Sequence, residues 1–263
     1  MNQVNSVIPR SHQERLFPSL SQLIENINRS DYSLPIIDDG KAILDIKFDE
    51  NGKPVRKVVK RSNYRQSYQL FSAKMNTTMS CESLIEFNGC YILETNPLIK
   101  KYHTQPALIS YVINHEKHRH IPDALIEFNS NKKFFIEFKS EHDLHDVELQ
   151  LRTDLLRKHL PAHGYGYLVV CDDQVEGFEL VNAKKLSHIE RTEVSDETLC
   201  AVFNCLRYGE LISIKSLIET LKFVKNLRNI LYQLIRQGVL GYYKCDEAVI
   251  TDETLIFWEG PMQ

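Results

Sequence analysis

The sequence predicts an α/β protein in which helices cover the faces of a mixed sheet, followed by a small winged-helix-like domain. Two observations lead to this prediction. Between residues 81 and 171, apolar runs of strand length alternate with helical patterns, which is typical of a layered sheet. After about residue 190 the chain becomes polar and acidic, and short helical patterns replace the strands.

The N-terminal third of the chain contains one predicted peripheral helix and a pair of predicted strands. Residues 1–33 are mostly polar, with one amphipathic stretch whose apolar positions at helical spacing are Leu20, Leu23, Ile24 and Ile27. Residues 34–48 favour a strand, a turn and a second strand. Residues 81–95 again show near-helical spacing, and Asn96-Pro97 marks the end of that helix.

The central segment supplies most of the predicted sheet. In chain order, its elements are a strand at 106–114, a strand at 121–128, a turn at 129–133, a strand at 134–139, a helix at 147–160 and a strand at 165–171. Pro161 and Gly164 end the helix, and the apolar run that follows has the length of a buried strand.

The C-terminal segment predicts a separate small domain, so we divide the chain into domains at 1–190 and 196–263. Its elements are helical patterns at 198–208, 213–221 and 225–237, then a hairpin of 239–244 and 248–252 that turns at 245–247. The last helix carries Lys225, Arg228 and Arg236, as a recognition helix can, and we expect Trp258 to pack in this domain's core.

Composition restricts the classes of protein that this chain can represent. The formal net charge is −3, so binding to nucleic acid requires local basic patches. No apolar run approaches the roughly 18 residues of a membrane span, and the first residues lack the apolar core of a signal peptide. The six cysteines form no CxxC pair. We therefore expect a cytoplasmic protein with reduced, mostly buried thiols and no membrane partner.

Two short motifs point to metal-dependent chemistry. Pro122-Asp123 precedes one predicted strand, and Glu137-Phe138-Lys139 ends the next. Glu137 and Lys139 are two residues apart, so they share a face of that strand. Two carboxylates and the backbone carbonyl of Phe138 can hold Mg²⁺, and a lysine can orient a water and offset phosphate charge. An acid followed by lysine is common by chance, but the surrounding pattern of elements favours a phosphodiesterase site.

Further acids and cations lie upstream of these motifs. Glu82 and Glu86 are one turn apart on the helix predicted at 81–95, so either can add a carboxylate to the site. A basic stretch comes earlier still, with no acid between residues 51 and 80: Lys53, Arg56, Lys57, Lys60, Arg61 and Arg65. Such a stretch is either a solvated surface or a set of phosphate contacts, and both interpretations stay open.

Taken together in order, these segments resemble the PD-(D/E)xK nuclease superfamily and, within it, the TnsA family of transposase endonuclease subunits. The resemblance covers about residues 50–190. It rests on the basic stretch and on five further segments: FSAKMN at 71–76, ESLIEF at 82–87, QP at 105–106, IPD at 121–123 and IEFK at 136–139. It implies a restriction-endonuclease-like fold with a C-terminal winged helix. It adds Lys74 to the DNA-binding residues.

The resemblance also implies roles for four residues. Glu86 is the helix acid, Asp123 and Glu137 bind the metal, and Lys139 is the catalytic lysine. Some family members carry an amide at the position of Glu137, so this chain follows the acidic pattern of the superfamily. The implied cofactor is Mg²⁺, for which Mn²⁺ substitutes. One or two ions remain open, with Glu86 the candidate bridge to a second ion.

The implied function is cleavage of the 5′ ends of transposon DNA during cut-and-paste transposition. Implied partners are double-stranded DNA at the transposon ends, a DDE-type transposase subunit (TnsB-like) and an AAA+ ATPase regulator (TnsC-like). Two alternatives stay open: a stand-alone restriction, defence or repair nuclease of the same fold, and a catalytically silent DNA-binding adaptor. Whether the winged helix contacts DNA or protein is also open.

Several other polar residues are attractive candidates with simpler explanations. His115, His118 and His120 lie close together, but their spacing does not put all three on one face. We expect a solvated loop there, able to touch a phosphate backbone, rather than a zinc site. His142 and His145 fit the entry to a helix as well as a substrate contact. Asp172-Asp173 is expected to begin a turn.

Overall fold

A computed structural model describes residues 17–30, 42–49, 54–55, 67–206, 210–243, 248–258 and 260. The chain separates into two compact units, a large unit drawn from 16–94 and 98–176 and a small unit drawn from 95–97 and 177–263. The small unit begins before the polar segment near residue 190, because the helix Gly177–Ser187 packs on a C-terminal helix. In the part of the chain that the structure describes, no helix is long and apolar enough to cross a bilayer.

The large unit contains three helices and nine strands among its described residues. The helices are α1 (Leu20–Arg29), α2 (Leu84–Thr95, whose last residue belongs to the small unit) and α3 (Val147–His159). The strands are β1 (Ile43–Phe48), β2 (Tyr68–Ser72), β3 (Thr77–Cys81), β4 (Ile99–Thr104), β5 (Ala107–Ile113), β6 (Glu116–His120), β7 (Ala124–Phe128), β8 (Lys133–Lys139) and β9 (Gly166–Cys171).

A four-stranded mixed sheet forms the centre of the large unit, with strand order β4-β7-β8-β9. β7 pairs antiparallel with β4 and β8, whereas β8 and β9 pair in parallel. The parallel pair needs a long crossover, and α3 supplies it. Residues 134–138 of β8 are all buried because this strand is covered on both faces. The predicted mixed sheet flanked by helices is confirmed.

A second sheet packs over the face of the central sheet that carries Phe135. Its order is β1-β5-β6, all antiparallel. Its inner side chains share one apolar cluster with side chains of β8, α3 and β9, the buried members being Ile43, Ala107, Ile109, Tyr111, Phe135, Leu156, Leu160 and Tyr167. The prediction of a solvated loop at 115–120 is wrong, because residues 116–120 form β6. The strands β2, β3 and β4 were not predicted at all.

Helix α2 packs very closely against β8. A Cβ atom at Gly89 would lie 2.4 Å from two carbons of the Phe138 ring, a distance at which one of the two must move. Glycine therefore lets the helix approach the sheet. Because Glu86 lies three residues before Gly89, this close approach also fixes the position of the helix acid relative to the end of β8.

The small unit consists of four helices and a three-stranded antiparallel sheet among its described residues. They are α4 (Gly177–Ser187), α5 (Asp196–Cys205), α6 (Ile214–Thr220), α7 (Leu227–Arg236), β10 (Ile212–Ser213), β11 (Gly241–Tyr242) and β12 (Leu255–Phe257), with sheet order β10-β12-β11. The three predicted helices are confirmed, α4 and β10 were missed, and the second hairpin strand lies later than expected. Trp258 stacks on Phe203 with ring centroids 4.6 Å apart, as expected of a core residue. The turn at 245–247 lies outside the described residues.

We predict that Gly89→Ala destabilises the large unit by about 1–3 kcal/mol, the usual cost of overpacking a core. Urea unfolding measures this cost. Phe138→Leu removes the ring that the new methyl group would strike, so the double variant should lose less stability than the two single variants together. Strict additivity of the two changes would contradict the close packing of helix on sheet.

Candidate active site

Glu137 lies at the centre of a buried cluster of charges near the end of β8. Its side chain is only 3% exposed. Lys139 Nζ lies 2.9 Å from Glu137 Oε1, and Arg152 Nη2 of α3 lies 3.3 Å from the same oxygen. His120 Nε2 of β6 lies 2.8 Å from the other oxygen, Oε2. Three cationic or basic side chains from three elements therefore surround one carboxylate.

Asp123 is held at the point where the pairing of β7 and β8 ends. Its Oδ2 accepts a hydrogen bond of 2.7 Å from the backbone N–H of Phe138. The last paired residues of β7 and β8 are Ala124 and Ile136. The Asp123 side chain therefore adds one more hydrogen bond between the two chain segments beyond the end of their backbone pairing. The hydrogen bond places Asp123 beside the segment Glu137–Lys139, as the sequence motif predicts.

Glu86 reaches the same region from α2, on the other side of the central sheet. Its backbone N–H donates to Ser83 Oγ at 3.2 Å, and its Oε2 accepts from the backbone N–H of Glu82 at 2.9 Å. These bonds satisfy donors at the start of the helix, where an acid is favourable. Glu86 therefore has a structural role at the start of α2 as well as a position next to the charge cluster. Glu82 lies at this same helix entry.

Burial and neighbouring charges shift the pKa values of the three carboxyl groups in different directions. Burial raises the pKa of Asp123 well above its usual value, and the nearby charges of Glu137 and Glu86 raise it further. Burial also raises the pKa of Glu86. Burial alone would raise the pKa of Glu137, but His120 and Lys139 outweigh it and leave the pKa lowered. The cluster thus contains one carboxylate stabilised as an anion and two that resist ionisation.

Lys139 is stabilised as a cation. Burial alone would lower the pKa of its ammonium, but Glu137 outweighs that effect and Asp123 adds to it, so the pKa is raised. The Lys139 side chain is 31% exposed, so the ammonium is accessible from solvent while it contacts the buried acid. The arrangement can present a positive charge and hydrogen-bond donors to an anionic substrate.

The donor chemistry of this cluster fits a hard divalent cation. Asp123, Glu137 and Glu86 offer carboxylate oxygens, and Glu137 Oε2 is buried without an aligned hydrogen bond despite its close contact with His120. Within the described ranges, no three His, Cys, Asp or Glu side chains already converge as a set of metal ligands. Phe138 pairs with β9 opposite Val170, and its carbonyl stays a predicted ligand.

The structure brings the four predicted catalytic residues into one neighbourhood. Of the seven predicted DNA-binding residues, it describes only Lys74. Lys74 directs its ammonium inward, donating to the carbonyl oxygens of Leu93 at 2.9 Å and Ile99 at 2.8 Å. It thereby connects the end of α2 to β4, and its contact with DNA stays a prediction. The other six basic residues, between 53 and 65, lie outside the described residues.

Sequence reasoning missed three residues of the cluster. His120 was assigned to a loop, and Arg152 and Tyr167 were not considered. Tyr167 Oη lies 3.2 Å from His120 Nε2, the same nitrogen that contacts Glu137 Oε2. A signal for Arg152 exists, because it lies on the apolar stripe of α3 between the buried residues Leu149 and Leu156. An arginine on such a stripe indicates a buried acid as its partner.

Other predicted candidates take ordinary structural positions. His142 and His145 belong to the short 3-10 helix Glu141–His145 that leads into α3. Asp172 begins a 3-10 turn, as expected, and accepts a hydrogen bond of 2.9 Å from the backbone N–H of Glu141. A cavity of about 300 Å³ opens elsewhere on the large unit, with Phe48, His103 and Tyr165 in its walls, and none of the four predicted catalytic residues lines it.

Comparison with known proteins agrees with the resemblance drawn from the motifs. Residues 96–192 match the family model described as TnsA-like endonuclease N terminal. The matched segment contains Asp123, Glu137 and Lys139, whereas Glu86 precedes it. No curated protein sequence matches this chain.

We predict that Asp123→Asn raises the thermal stability of the metal-free protein at neutral pH. The amide oxygen still accepts the Phe138 hydrogen bond, but the charge that Glu137 and Glu86 repel is gone. Because folding raises the pKa of Asp123, the unmodified protein loses stability as pH rises from about 3.9, the unfolded value. Asp123→Asn has no carboxyl group to ionise at this position and does not lose this stability. The difference in melting temperature between the variant and the unmodified protein should therefore increase from acidic to neutral pH.

Glu127→Gln on β7 is the matched control for this prediction. The hydrogen bond from Lys100 lowers the pKa of Glu127. Its charge therefore contributes stability above the unfolded pKa, and its removal should lower the melting temperature at neutral pH. A melting temperature for Asp123→Asn that falls with rising pH as steeply as that of the unmodified protein would contradict the raised pKa that burial and the neighbouring acids give Asp123.

Proposed function

We propose that this chain, whose residues 96–192 match the TnsA-like endonuclease family, is a metal-dependent DNA endonuclease subunit of a transposase. Its task would be cleavage of the 5′ ends of transposon DNA during cut-and-paste transposition. The observation that carries the proposal is the contact of Lys139 with the buried Glu137, together with the Asp123 hydrogen bond to Phe138. Two acids and one ammonium are thereby fixed at one end of a rigid sheet.

The metal is part of the proposal. Asp123 and Glu137 would hold Mg²⁺ or Mn²⁺, with the Phe138 carbonyl as a further ligand and Glu86 as the acid nearest a second ion. The bound ion would supply Lewis-acid stabilisation of the phosphate and a water of lowered pKa. Repulsion among Asp123, Glu137 and Glu86 is unfavourable when no cation is present. A bound cation would offset this repulsion, which would explain why the three acids lie close together.

Lys139 would act through its positive charge. The pKa of its ammonium is raised beside Glu137, so the side chain is protonated at neutral pH and is a poor acceptor of a proton from water. It can orient the attacking water and offset the negative charge that develops on the phosphate. Glu137 would therefore have two tasks: its Oε1 contacts Lys139, and its Oε2 would coordinate the ion in place of its contact with His120 Nε2.

The small unit would serve as a winged helix that contacts protein rather than DNA. Three helices and a three-stranded sheet in the order β10-β12-β11 support the winged-helix assignment. Arg228 of α7 is paired with Asp252 through both Nε and Nη2, so this cation already has a partner. We therefore propose the DDE-type transposase subunit (TnsB-like) or the AAA+ ATPase regulator (TnsC-like) as the partner of this unit.

Cleavage of DNA tests the proposal directly. The purified chain should nick supercoiled plasmid DNA only when Mg²⁺ or Mn²⁺ is present. Asp123→Ala and Lys139→Gln should each reduce the rate by about 100-fold or more, because each removes a charge that acts on the transition state. Glu127→Gln alters an acid outside the charge cluster and should leave the rate unchanged. Equal nicking by Asp123→Ala would assign the activity to another site or another protein.

The choice of cleavage site separates the transposase subunit from a stand-alone nuclease. Phosphate contacts position a protein without specifying sequence, so the isolated chain should cut DNA weakly and at many unrelated sequences. Sequencing of the 5′ ends produced by the purified protein measures this. Clean cutting at one short sequence by the chain alone would support the restriction-type alternative and reject the subunit role.

A further inference from the structure

The hairpin of β5 and β6 ends next to the candidate active site and has two different faces. Among the residues that the structure describes, β6 lies at the edge of its sheet and pairs only with β5. The two connecting residues, Asn114 and His115, both have positive φ, of 51° and 66°. This backbone makes a tight two-residue turn, so the register of β6 is fixed from the turn to His120.

The inner face of β6 is fastened to the core. His118 stacks on Tyr111 with ring centroids 5.5 Å apart and an angle of 16° between the planes. His120 lies 2.8 Å from Glu137 Oε2. Because alternate residues of a strand point to opposite faces, these two histidines fix the direction of Lys117 and Arg119. Both cations point outward and are exposed.

The outer face of β6 carries positive charge, and no acid in the described part of the chain is ion-paired with it. Lys117 is opposite Val112 and Arg119 is opposite Ser110, which are both neutral. Glu116 is adjacent in sequence but alternates to the face of the histidines. On the next strand, Asp45 is engaged with Lys47 at 3.3 Å. Neither Lys117 nor Arg119 forms an ion pair with any other residue that the structure describes.

We infer that Lys117 and Arg119 form a phosphate-binding edge that leads the DNA backbone to the active site. Arg119 directly precedes His120, whose side chain contacts Glu137 on the inner face, so the two cations lie on the outer face of the same strand that borders the charge cluster. A protein with a formal net charge of −3 needs such local patches to hold a polyanion. A strand held by a tight turn at one end and by His120 at the other presents its cations on an ordered backbone, which lowers the entropy cost of binding. This inference rests on the proposed endonuclease function.

The test is the salt dependence of DNA binding by the full chain. A fluorescent duplex of arbitrary sequence is titrated in EDTA, so that no cleavage occurs, at several salt concentrations. For B-DNA, the slope of log affinity against log salt becomes shallower by about 0.9 for each phosphate that the protein no longer neutralises. The double variant Lys117→Gln/Arg119→Gln should therefore bind more weakly at low salt, with a slope shallower by about 1.8.

The matched control is Lys101→Gln/Lys158→Gln, which removes the same charge from exposed lysines on β4 and α3. The control should keep the slope of the unmodified protein. Equal slopes for both double variants would overturn the β6 edge while leaving the proposed function intact. Absence of any salt-dependent binding by the unmodified chain would overturn both, and circular dichroism verifies that each variant is folded.

Discussion

The burial of Glu137 is the constraint on which the rest of the large unit depends. A carboxylate that is 3% exposed is costly unless cations and hydrogen-bond donors surround it. Here Lys139 comes from the same strand, Arg152 from α3 and His120 from β6. Each of these elements must pack in one particular position for the charge to be tolerated. Glu137 therefore contacts side chains from the central sheet, the crossover helix α3 and the second sheet, and its burial depends on the packing of all three.

The same arrangement explains why the acids come from different faces of the sheet. Glu137 faces the side covered by α3 and the second sheet, whereas Glu86 approaches from α2 on the side of Phe138. Asp123 lies between them and is held by the Phe138 backbone. Burial and Glu137 raise the pKa of Asp123, and Glu86, on the helix that Gly89 allows close to the sheet, raises it further. Burial of Asp123 and Glu86, together with repulsion from the neighbouring acids, lowers the stability of the protein at neutral pH.

The sequence predicts the core of this arrangement because its strands are buried and apolar. Strand β8 and the pair Glu137 and Lys139 follow from apolar length and a period of two, and α3 follows from its caps. Strand β6 was missed because Glu116-Lys117-His118-Arg119-His120 contains no apolar residue, so hydrophobic periodicity has nothing to detect. Arg152 was missed because its partner is distant in sequence. In both cases the stabilising interaction is with Glu137. The contact of His120 is visible only in the tertiary structure, whereas the apolar stripe of α3 indicates a buried acidic partner for Arg152 without identifying it.

A crystal soaked in Mn²⁺ and measured at an anomalous wavelength tests the central claim most directly. If these carboxylates form a metal site, an anomalous peak will lie within coordination distance of both Asp123 and Glu137, near Lys139. An anomalous peak bound only elsewhere on the chain, with Asp123 and Glu137 unchanged at saturating Mn²⁺, would contradict the claim that this charge cluster is the active site.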